Sequence, residues 1–271
     1  MNAMFRGKAW SFGFRTAVIL YFVCLIILPV TGIYVQSFSE GIASFLASVF
    51  DPLAWKAVFL TAKLAMIATI VNVIFGTITG WVLVRYTFPG RRLLNSVVDL
   101  PFALPTAVGG LLILLLLGPG SLVGGWAEKL GSPLVFHEPA IVLAMVFVTF
   151  PFVIRGVQPL LEEMDQSQEE AAYTMGTSRA RTFLTVIFPS MLPGIVSGAM
   201  LAFSRGLAEF GAVVLVAGNI PGKTLVASVY IFGEIESNNQ QGAAAVSVIL
   251  LTMSFLILWT VNNVAARRFQ R

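Results

Sequence analysis

The sequence predicts an all-α integral membrane protein with six transmembrane helices. Of its 271 residues, 57% are hydrophobic and only 11% are charged, whereas a soluble domain carries about 25% charged residues. Long uncharged windows recur along the chain, and a hydrocarbon core about 30 Å thick takes roughly 20 apolar residues per helix. We therefore expect six spans joined by loops and no separate soluble catalytic domain.

Six windows are predicted to cross the membrane. The first follows a basic segment, but its apolar run is too long for a secretion signal, so we interpret it as an anchored helix. The third contains Pro101 and Pro105, which remove backbone donors and bend or interrupt a helix. The predicted spans are residues 17–36, 64–84, 100–118, 139–158, 189–216 and 242–266.

The distribution of Lys and Arg predicts the orientation of these spans. Six spans place both termini on one side, and twelve of the seventeen cations fall on that side. Cytoplasmic loops carry the excess of Lys and Arg. The N-terminal segment 1–16 and the C-terminal segment 267–271 are therefore predicted to be cytoplasmic, as is the loop 159–188.

The loop 159–188 concentrates charge, helix-forming residues and small residues. Asp165 or Ser167 can cap a short helix there, and Gly176 can end it. Ala171 and Ala172 give such a helix a flat side that another protein could approach closely. A solvated loop helix with no special role is the alternative.

The same loop contains a spaced motif. Glu-Ala-Ala at residues 170–172 is followed after three residues by Gly176, and after nine more by Val-Ile-Phe-Pro at residues 186–189. The motif resembles the EAA loop of ABC importer permeases, E-A-A-x(3)-G-x(9)-I-x-L-P, with Val186 and Phe188 in place of the family's Ile and Leu. In that family the loop forms a coupling helix that docks on the ATP-binding subunit. The resemblance implies ATPase coupling by Glu169, Glu170, Ala171, Ala172 and Gly176.

Four further segments are similar to the T-type permease (CysT) of bacterial sulfate and thiosulfate importers. They are residues 99–108, 151–159, 202–211 and 218–224. The resemblance implies the type I ABC importer permease fold, a place in the bacterial plasma (inner) membrane, and a chain that forms half of the translocation path. The tract 230–241 is less typical of the group.

The resemblance also implies a set of partners. These are a homologous W-type permease in a heterodimer, two ATP-binding subunits, an extracytoplasmic sulfate/thiosulfate-binding protein and membrane lipid. ATP and Mg belong to the partner ATPase, so we expect this chain to bind no cofactor. The basic balance of the chain has a topological explanation, and no nucleic-acid partner is expected.

Arg205 and Glu209 are predicted to lie inside the fifth span, where an ionised side chain costs at least about 2.5 kcal/mol. Their spacing of four puts them on one helix face, where they can form an ion pair. Three interpretations stay open: a structural pair, charges that meet a partner subunit, or residues of the path. Gly194 and Gly198 form a small-x-x-x-small contact face on the same helix. The candidate path residues are Arg205, Glu209, Ser204, Ser197 and Thr106.

Thr106 is a candidate because of the breaks around it. Pro101 and Pro105 precede it, and Gly109 and Gly110 follow. Broken helices at membrane depth usually line a cavity, although an ordinary proline kink that serves packing is the alternative.

No catalytic or metal site is predicted. The chain has one cysteine, Cys24, and one histidine, His137, which leaves no cysteine or histidine cluster for a metal. The segment AGNIPGKT at residues 217–224 is one residue short of a phosphate loop, and it follows a helix rather than a strand. We therefore expect the energy for transport to come from a partner.

Other functions are compatible with the sequence. The nearest is an ABC permease for molybdate or tungstate, which would pair as a homodimer. A passive anion channel or secondary carrier belongs to another class, and it leaves the EAA spacing unexplained. A membrane scaffold without transport is disfavoured by the charges inside the membrane.

Overall fold

The computed structural model describes residues 13–269, with side chains described at residues 13–260 and at Asn263. Within this part every regular element is a helix. Residues 1–12 of the predicted cytoplasmic N-terminus and residues 270–271 of the predicted C-terminal segment lie outside the described residues.

The helices follow one another along the described chain with short connections. In order they are α1 (Gly13–Ser37), α2 (Ile42–Val49), α3 (Pro52–Arg85), α4 (Arg91–Val98), α5 (Leu100–Ala103), α6 (Thr106–Leu117), α7 (Leu122–Lys129), α8 (Glu138–Glu163), α9 (Ser167–Thr174), α10 (Arg179–Leu207), α11 (Val213–Val216), α12 (Ala227–Glu236) and α13 (Gln240–Phe269). One π-helical turn lies in α1 at Val23–Ile27 and another in α10 at Phe183–Ile187.

Five of these helices are long and apolar enough to cross a membrane: α1, α3, α8, α10 and α13. The pair α6 and α7 makes a sixth crossing if the two helices, bent by 52°, are taken as one span. The second crossing begins at Pro52 rather than at the predicted residue 64. A helix of 34 residues is about 51 Å long at 1.5 Å per residue, so α3 extends well beyond the hydrocarbon core.

The predicted third span, 100–118, is interrupted. The short helix α5 ends before Leu104, whose backbone is extended at φ −91° and ψ 140°, because a residue that precedes proline is pushed away from the helical region. Pro105 then contributes no N–H, and α6 begins at Thr106. The twelve residues of α6 measure about 18 Å, less than the hydrocarbon core.

The fifth crossing also differs from its predicted range, 189–216. Helix α10 ends at Leu207 because the chain turns at Ala208 and Glu209, and the Glu209 carboxylate accepts the N–H of Ala212 at 2.7 Å. At its other end α10 begins ten residues earlier than predicted, where the Ser178 hydroxyl caps the first turn.

The chain forms two compact units, and each is described by itself. The smaller contains residues 13–51 and 231–249 of the described chain. In it the side chain of Gln241 accepts a hydrogen bond from Ser48 at 3.2 Å and donates one to the carbonyl of Ser37 at 3.3 Å.

The larger unit contains residues 52–230 and 250–269 of the described chain, and α3, α8 and α10 pack at its centre. The predicted contact face on α10 is confirmed, because Gly194 lies against Gly156 and Gly198 lies against the backbone of Phe152 on α8. Helices α3 and α8 share a buried polar contact in which Asn72 Nδ2 donates to Thr149 Oγ1 at 2.8 Å.

Candidate functional site

The short helix α9, called the loop helix below, connects α8 to α10. Its start is fixed by Asp165, whose carboxylate accepts the backbone N–H of Ser167 at 2.9 Å. Hydrogen bonds from the backbone and side chain of Ser167 hold the pKa of Asp165 below its usual value. Asp165 thus stabilises the turn that precedes the loop helix, whose N-cap residue is Gln166.

The loop helix ends at a glycine-dependent turn. Gly176 has φ +81°, a conformation that side chains disfavour. Its N–H donates to the carbonyl of Tyr173 at 2.9 Å, and the N–H of Thr177 donates to the carbonyl of Ala172 at 3.2 Å. These two bonds form a Schellman motif, so the structure confirms Gly176 as the end of the helix.

The two adjacent glutamates of the loop helix have different surroundings. Glu169 Oε1 lies 2.7 Å from Nη2 of Arg85, and the two side chains are only 14% and 10% exposed. Glu170 is exposed and forms no ion pair within the described residues. Glu169 therefore faces its own chain, whereas Glu170 is open to a partner.

The two alanines divide in the same way. Ala172 is only 4% exposed and faces the chain's own interior, while Ala171 is exposed. The Thr177 hydroxyl lies 2.9 Å from the Thr182 hydroxyl and donates to the carbonyl of Ala172 at 2.6 Å. Hydrogen bonds thus attach the loop helix to the start of α10, and of the two alanines Ala171 faces outward.

A groove of about 850 Å³ runs beside the loop helix. Aromatic residues form much of its wall: the Trp81 ring centroid lies 4.8 Å from that of Phe183 and 5.3 Å from that of Tyr86. Arg85, Glu169 and Glu170 line the same groove. Aromatic residues and arginine are enriched at protein-contact surfaces.

Arg155 forms a second polar network near the end of α8. Its guanidinium donates to both carboxylate oxygens of Asp99, at 2.8 and 2.5 Å. It also donates to the side chains of Asn95 at 2.9 Å and Gln158 at 2.5 Å. These bonds join α4 and the turn that follows it to α8. Arg85 and Arg155 are among the twelve cations that the sequence placed on the cytoplasmic side, and nothing local indicated their partners.

Arg205 and Glu209 form the expected ion pair, with Arg205 Nη1 2.7 Å from Glu209 Oε2. Glu209 is only 1% exposed, while the Arg205 side chain is 34% exposed. The other carboxylate oxygen of Glu209 accepts the N–H of Ala212, and its backbone carbonyl accepts the Ser228 hydroxyl at 2.7 Å. Glu209 thus holds the turn that ends α10, which favours the structural interpretation of the pair.

The remaining path candidates are not all brought together. Thr106 begins α6 and lies against Gly211, where a Cβ would collide with the Thr106 hydroxyl. Thr106 is therefore beside the turn that Glu209 holds. The buried Ser204 hydroxyl has no hydrogen-bond partner within the described residues. Ser197 is exposed, donates to the carbonyl of Gly194 at 3.1 Å, and lies two turns before Arg205 on α10.

Comparison with known proteins gives consistent matches. Residues 72–270 match the family model described as "Binding-protein-dependent transport system inner membrane component". The "Sulfate transport system permease protein CysT" of Escherichia coli (strain K12) is 40% identical over 249 residues, which cover 92% of this chain and 90% of that protein. The "Probable sulfate transport system permease protein cysT" of Nephroselmis olivacea is 40% identical over 261 residues, covering 96% and 91%.

Two solved structures have a similar fold. A chain of a bacterial ABC transporter involved in the import of the acidic polysaccharide alginate has a TM-score of 0.80 at 15% identity, covering 97% of both chains. A chain of the bacterial alginate ABC transporter in complex with alginate pentasaccharide-bound periplasmic protein also has a TM-score of 0.80, covering 98% of this chain and 96% of that one. At this identity the likeness concerns the fold alone.

Proposed function

This chain belongs to the family of binding-protein-dependent transport system inner membrane components, and from that membership we propose that it is the permease subunit of an ABC importer for sulfate. Its fold is the type I ABC importer permease fold that the motif predicted. One observation carries the choice of substrate: sulfate transport permeases are about 40% identical to this chain over about nine-tenths of its length. We extend the substrate to thiosulfate on the sequence resemblance.

The chain would form half of the translocation path. Sulfate is doubly charged, and moving it needs polar donors but no strong fixed charge that would retain it. The Arg205–Glu209 pair supports this view, because the carboxylate at 2.7 Å offsets the charge of the arginine. Thr106 lies beside the Glu209 turn. We propose a path lined by Arg205, Ser204, Ser197 and Thr106, with the buried Glu209 offsetting the charge of Arg205.

ATP would drive transport through partner subunits. We propose that two ATP-binding subunits hold ATP and Mg, that this chain holds neither, and that the exposed side of the loop helix meets one of them. Glu170 and Ala171 lie on that side, and the Schellman turn at Gly176 fixes where it ends. The other partners are a W-type permease and an extracytoplasmic sulfate/thiosulfate-binding protein.

We place the chain as a multi-pass protein of the bacterial plasma membrane with both termini cytoplasmic. The excess of Lys and Arg on the side of the loop helix supports this orientation.

The test is to purify the complex that this chain forms and to identify its subunits. Reconstituted into liposomes with loaded sulfate-binding protein, the complex should take up sulfate only when ATP is supplied inside, and the binding protein should stimulate ATP hydrolysis. Uptake without ATP would contradict the proposal and favour a channel or secondary carrier. A homodimer that prefers molybdate would overturn the substrate assignment.

A further inference from the structure

The ion pair between Arg85 and Glu169 joins two helix ends of opposite polarity. Arg85 is the last residue of α3, and Glu169 lies in the first turn of the loop helix. A cation is stabilised at a helix C-terminus and an anion at an N-terminus. Each charge is therefore favoured by its own helix as well as by its partner 2.7 Å away.

The contact is largely buried at the edge of the aromatic-lined groove. The two side chains are 10% and 14% exposed, and Trp81 and Phe183 line the groove beside them. Electrostatic attraction is stronger and less screened by salt in such a setting than at an exposed surface. The pair is therefore less screened by salt than a surface salt bridge.

The loop helix has polar connections to two different membrane helices. The hydrogen bonds of Thr177 attach its C-terminal end to Thr182 in α10, which also follows it directly in the chain. Its N-terminal end is attached by Glu169 to α3, which is distant in sequence. Glu169 thus connects the loop helix to α3, a helix that does not neighbour it in the chain.

Arg85 and Trp81 each have an unpaired N–H donor at this contact. Arg85 Nε and Trp81 Nε1, one turn apart on α3, are buried and have no acceptor within the described residues, and the contact of Arg85 Nη2 with Glu169 Oε1 is an ion pair without a hydrogen bond. A carboxylate that shifts along this edge of α3 therefore meets further donors and need not lose its pairing. The loop helix can therefore shift along α3 while Glu169 keeps a positively polarised partner.

We infer that Glu169 is a positioning residue that acts through Arg85, and that their ion pair passes movement of the loop helix to the cytoplasmic end of α3. This inference rests on the proposed function, because the movement originates in the partner ATPase. Adjacent helical residues project about 100° apart, so the loop helix can present Glu170 to the ATPase while Glu169 holds α3.

Movement of α3 would then be passed to α8 at the centre of the larger unit. Helix α3 contacts α8 closely: a Cβ on Gly76 would lie 3.0 Å from Val153, and one on Gly80 would lie 3.3 Å from Val157. Closely packed helices transmit displacement because their interiors leave little free volume. A pull on Arg85 therefore displaces α3 against α8, which the chain connects to the same, N-terminal end of the loop helix.

The experiment compares two neighbouring glutamates in the complete reconstituted transporter with loaded binding protein. Three quantities are measured: the ATPase subunit that co-purifies, the rate of ATP hydrolysis, and sulfate uptake per ATP hydrolysed. For Glu169→Gln we expect normal ATPase content and uptake per ATP reduced about five-fold, a typical size for mutations that alter coupling between sites. For the matched control Glu170→Gln we expect loss of ATPase content instead.

Rescue separates transmission from simple structural support. The charge swap Arg85→Glu with Glu169→Arg should restore only part of the uptake per ATP, because it restores the attraction but reverses the favourable polarity at both helix ends. Wild-type uptake per ATP in Glu169→Gln would overturn the inference. So would loss of ATPase content in Glu169→Gln without recovery in the swap, because Glu169 would then meet the ATPase directly.

Two further outcomes are also decisive. If Glu169→Gln does not assemble, Arg85→Gln removes the ion pair from the other side and is measured in its place: reduced uptake per ATP supports the inference, and unchanged uptake overturns it. If the wild-type complex itself fails to couple ATP to sulfate uptake, the proposed function falls and this inference falls with it. A fully active wild type with an equally active Glu169→Gln overturns only the inference.

Discussion

Gly156 on α8 and Gly194 on α10 face each other so closely that a methyl group on Gly156 would lie 2.6 Å from the carbonyl oxygen of Gly194. Both residues lie within membrane-spanning helices. In lipid, helices associate mainly through close packing of small residues. This contact therefore sets the distance between the two helices that flank the loop helix.

Gly156→Ala should lower the thermal stability of the purified protein. The added methyl group forces the backbones apart, and such overpacking costs about 1–3 kcal/mol. The control is Gly32→Ala in α1, where a Cβ meets no atom within 4 Å and helix propensity improves by up to about 1 kcal/mol. Equal melting temperatures for the two variants would contradict the observed contact.

Gly176→Val should reduce sulfate uptake per ATP hydrolysed. A β-branched residue at φ +81° is strained by roughly 1–2 kcal/mol, which would unwind the end of the loop helix. Gly222→Val is a matched control, because Gly222 has φ +72° and, like Gly176, open space around its Cβ position. If both variants lose uptake per ATP equally, the effect comes from general strain and the role of Gly176 in coupling is refuted.

The two functions of Glu209 can be separated by substitution. Glutamine keeps an oxygen that can accept the N–H of Ala212, whereas alanine leaves that buried donor unpaired, at a cost of about 1–3 kcal/mol. We therefore expect thermal stability to fall in the order wild type, Glu209→Gln, Glu209→Ala. Identical stabilities for the two variants would show that the hydrogen bond to Ala212 contributes nothing.

Arg205→Ala tests whether the arginine belongs to the translocation path. If Arg205 contacts the ion, uptake should fall while the complex still assembles and hydrolyses ATP. Its side chain is 34% exposed, which leaves it accessible to an ion. Normal uptake by an intact complex would remove Arg205 from the mechanism.

Arg155→Lys should destabilise the protein by about 1–2 kcal/mol, measured by thermal unfolding, because an ammonium group cannot reproduce the planar fork of a guanidinium. Arg155 bonds Asp99 through two nitrogens and also bonds Asn95 and Gln158. The comparison is Lys63→Gln, which breaks the exposed pair with Glu138 and should cost no more than about 1 kcal/mol. An Arg155→Lys variant as stable as Lys63→Gln would argue against the network.

The features that sequence predicted well are those fixed locally. The apolar windows predicted most of the crossings because burial in lipid demands continuous hydrophobicity. The end of the loop helix was predictable because a glycine that follows a short helix favours a left-handed turn. The break before Thr106 followed from the restriction that Pro105 places on Leu104.

The features that sequence missed depend on tertiary contacts. The end of α10 at Leu207 lies inside the predicted fifth span, and it is set by the bond from Ala212 to the Glu209 side chain. The partner of Glu169 was hidden because Arg85 is far away in the chain. That pair also changes how the motif is understood, since only one of the two adjacent glutamates faces outward.

The connection between α8 and the loop helix contains only Met164, Asp165 and Gln166. Insertion or deletion of a single residue there would change the position and rotation of the following helix and bring a different side chain to Arg85. The number of residues in this connection is therefore constrained more strictly than their identity. A chimaera that carries this loop in another permease will work only if the length of that junction is preserved.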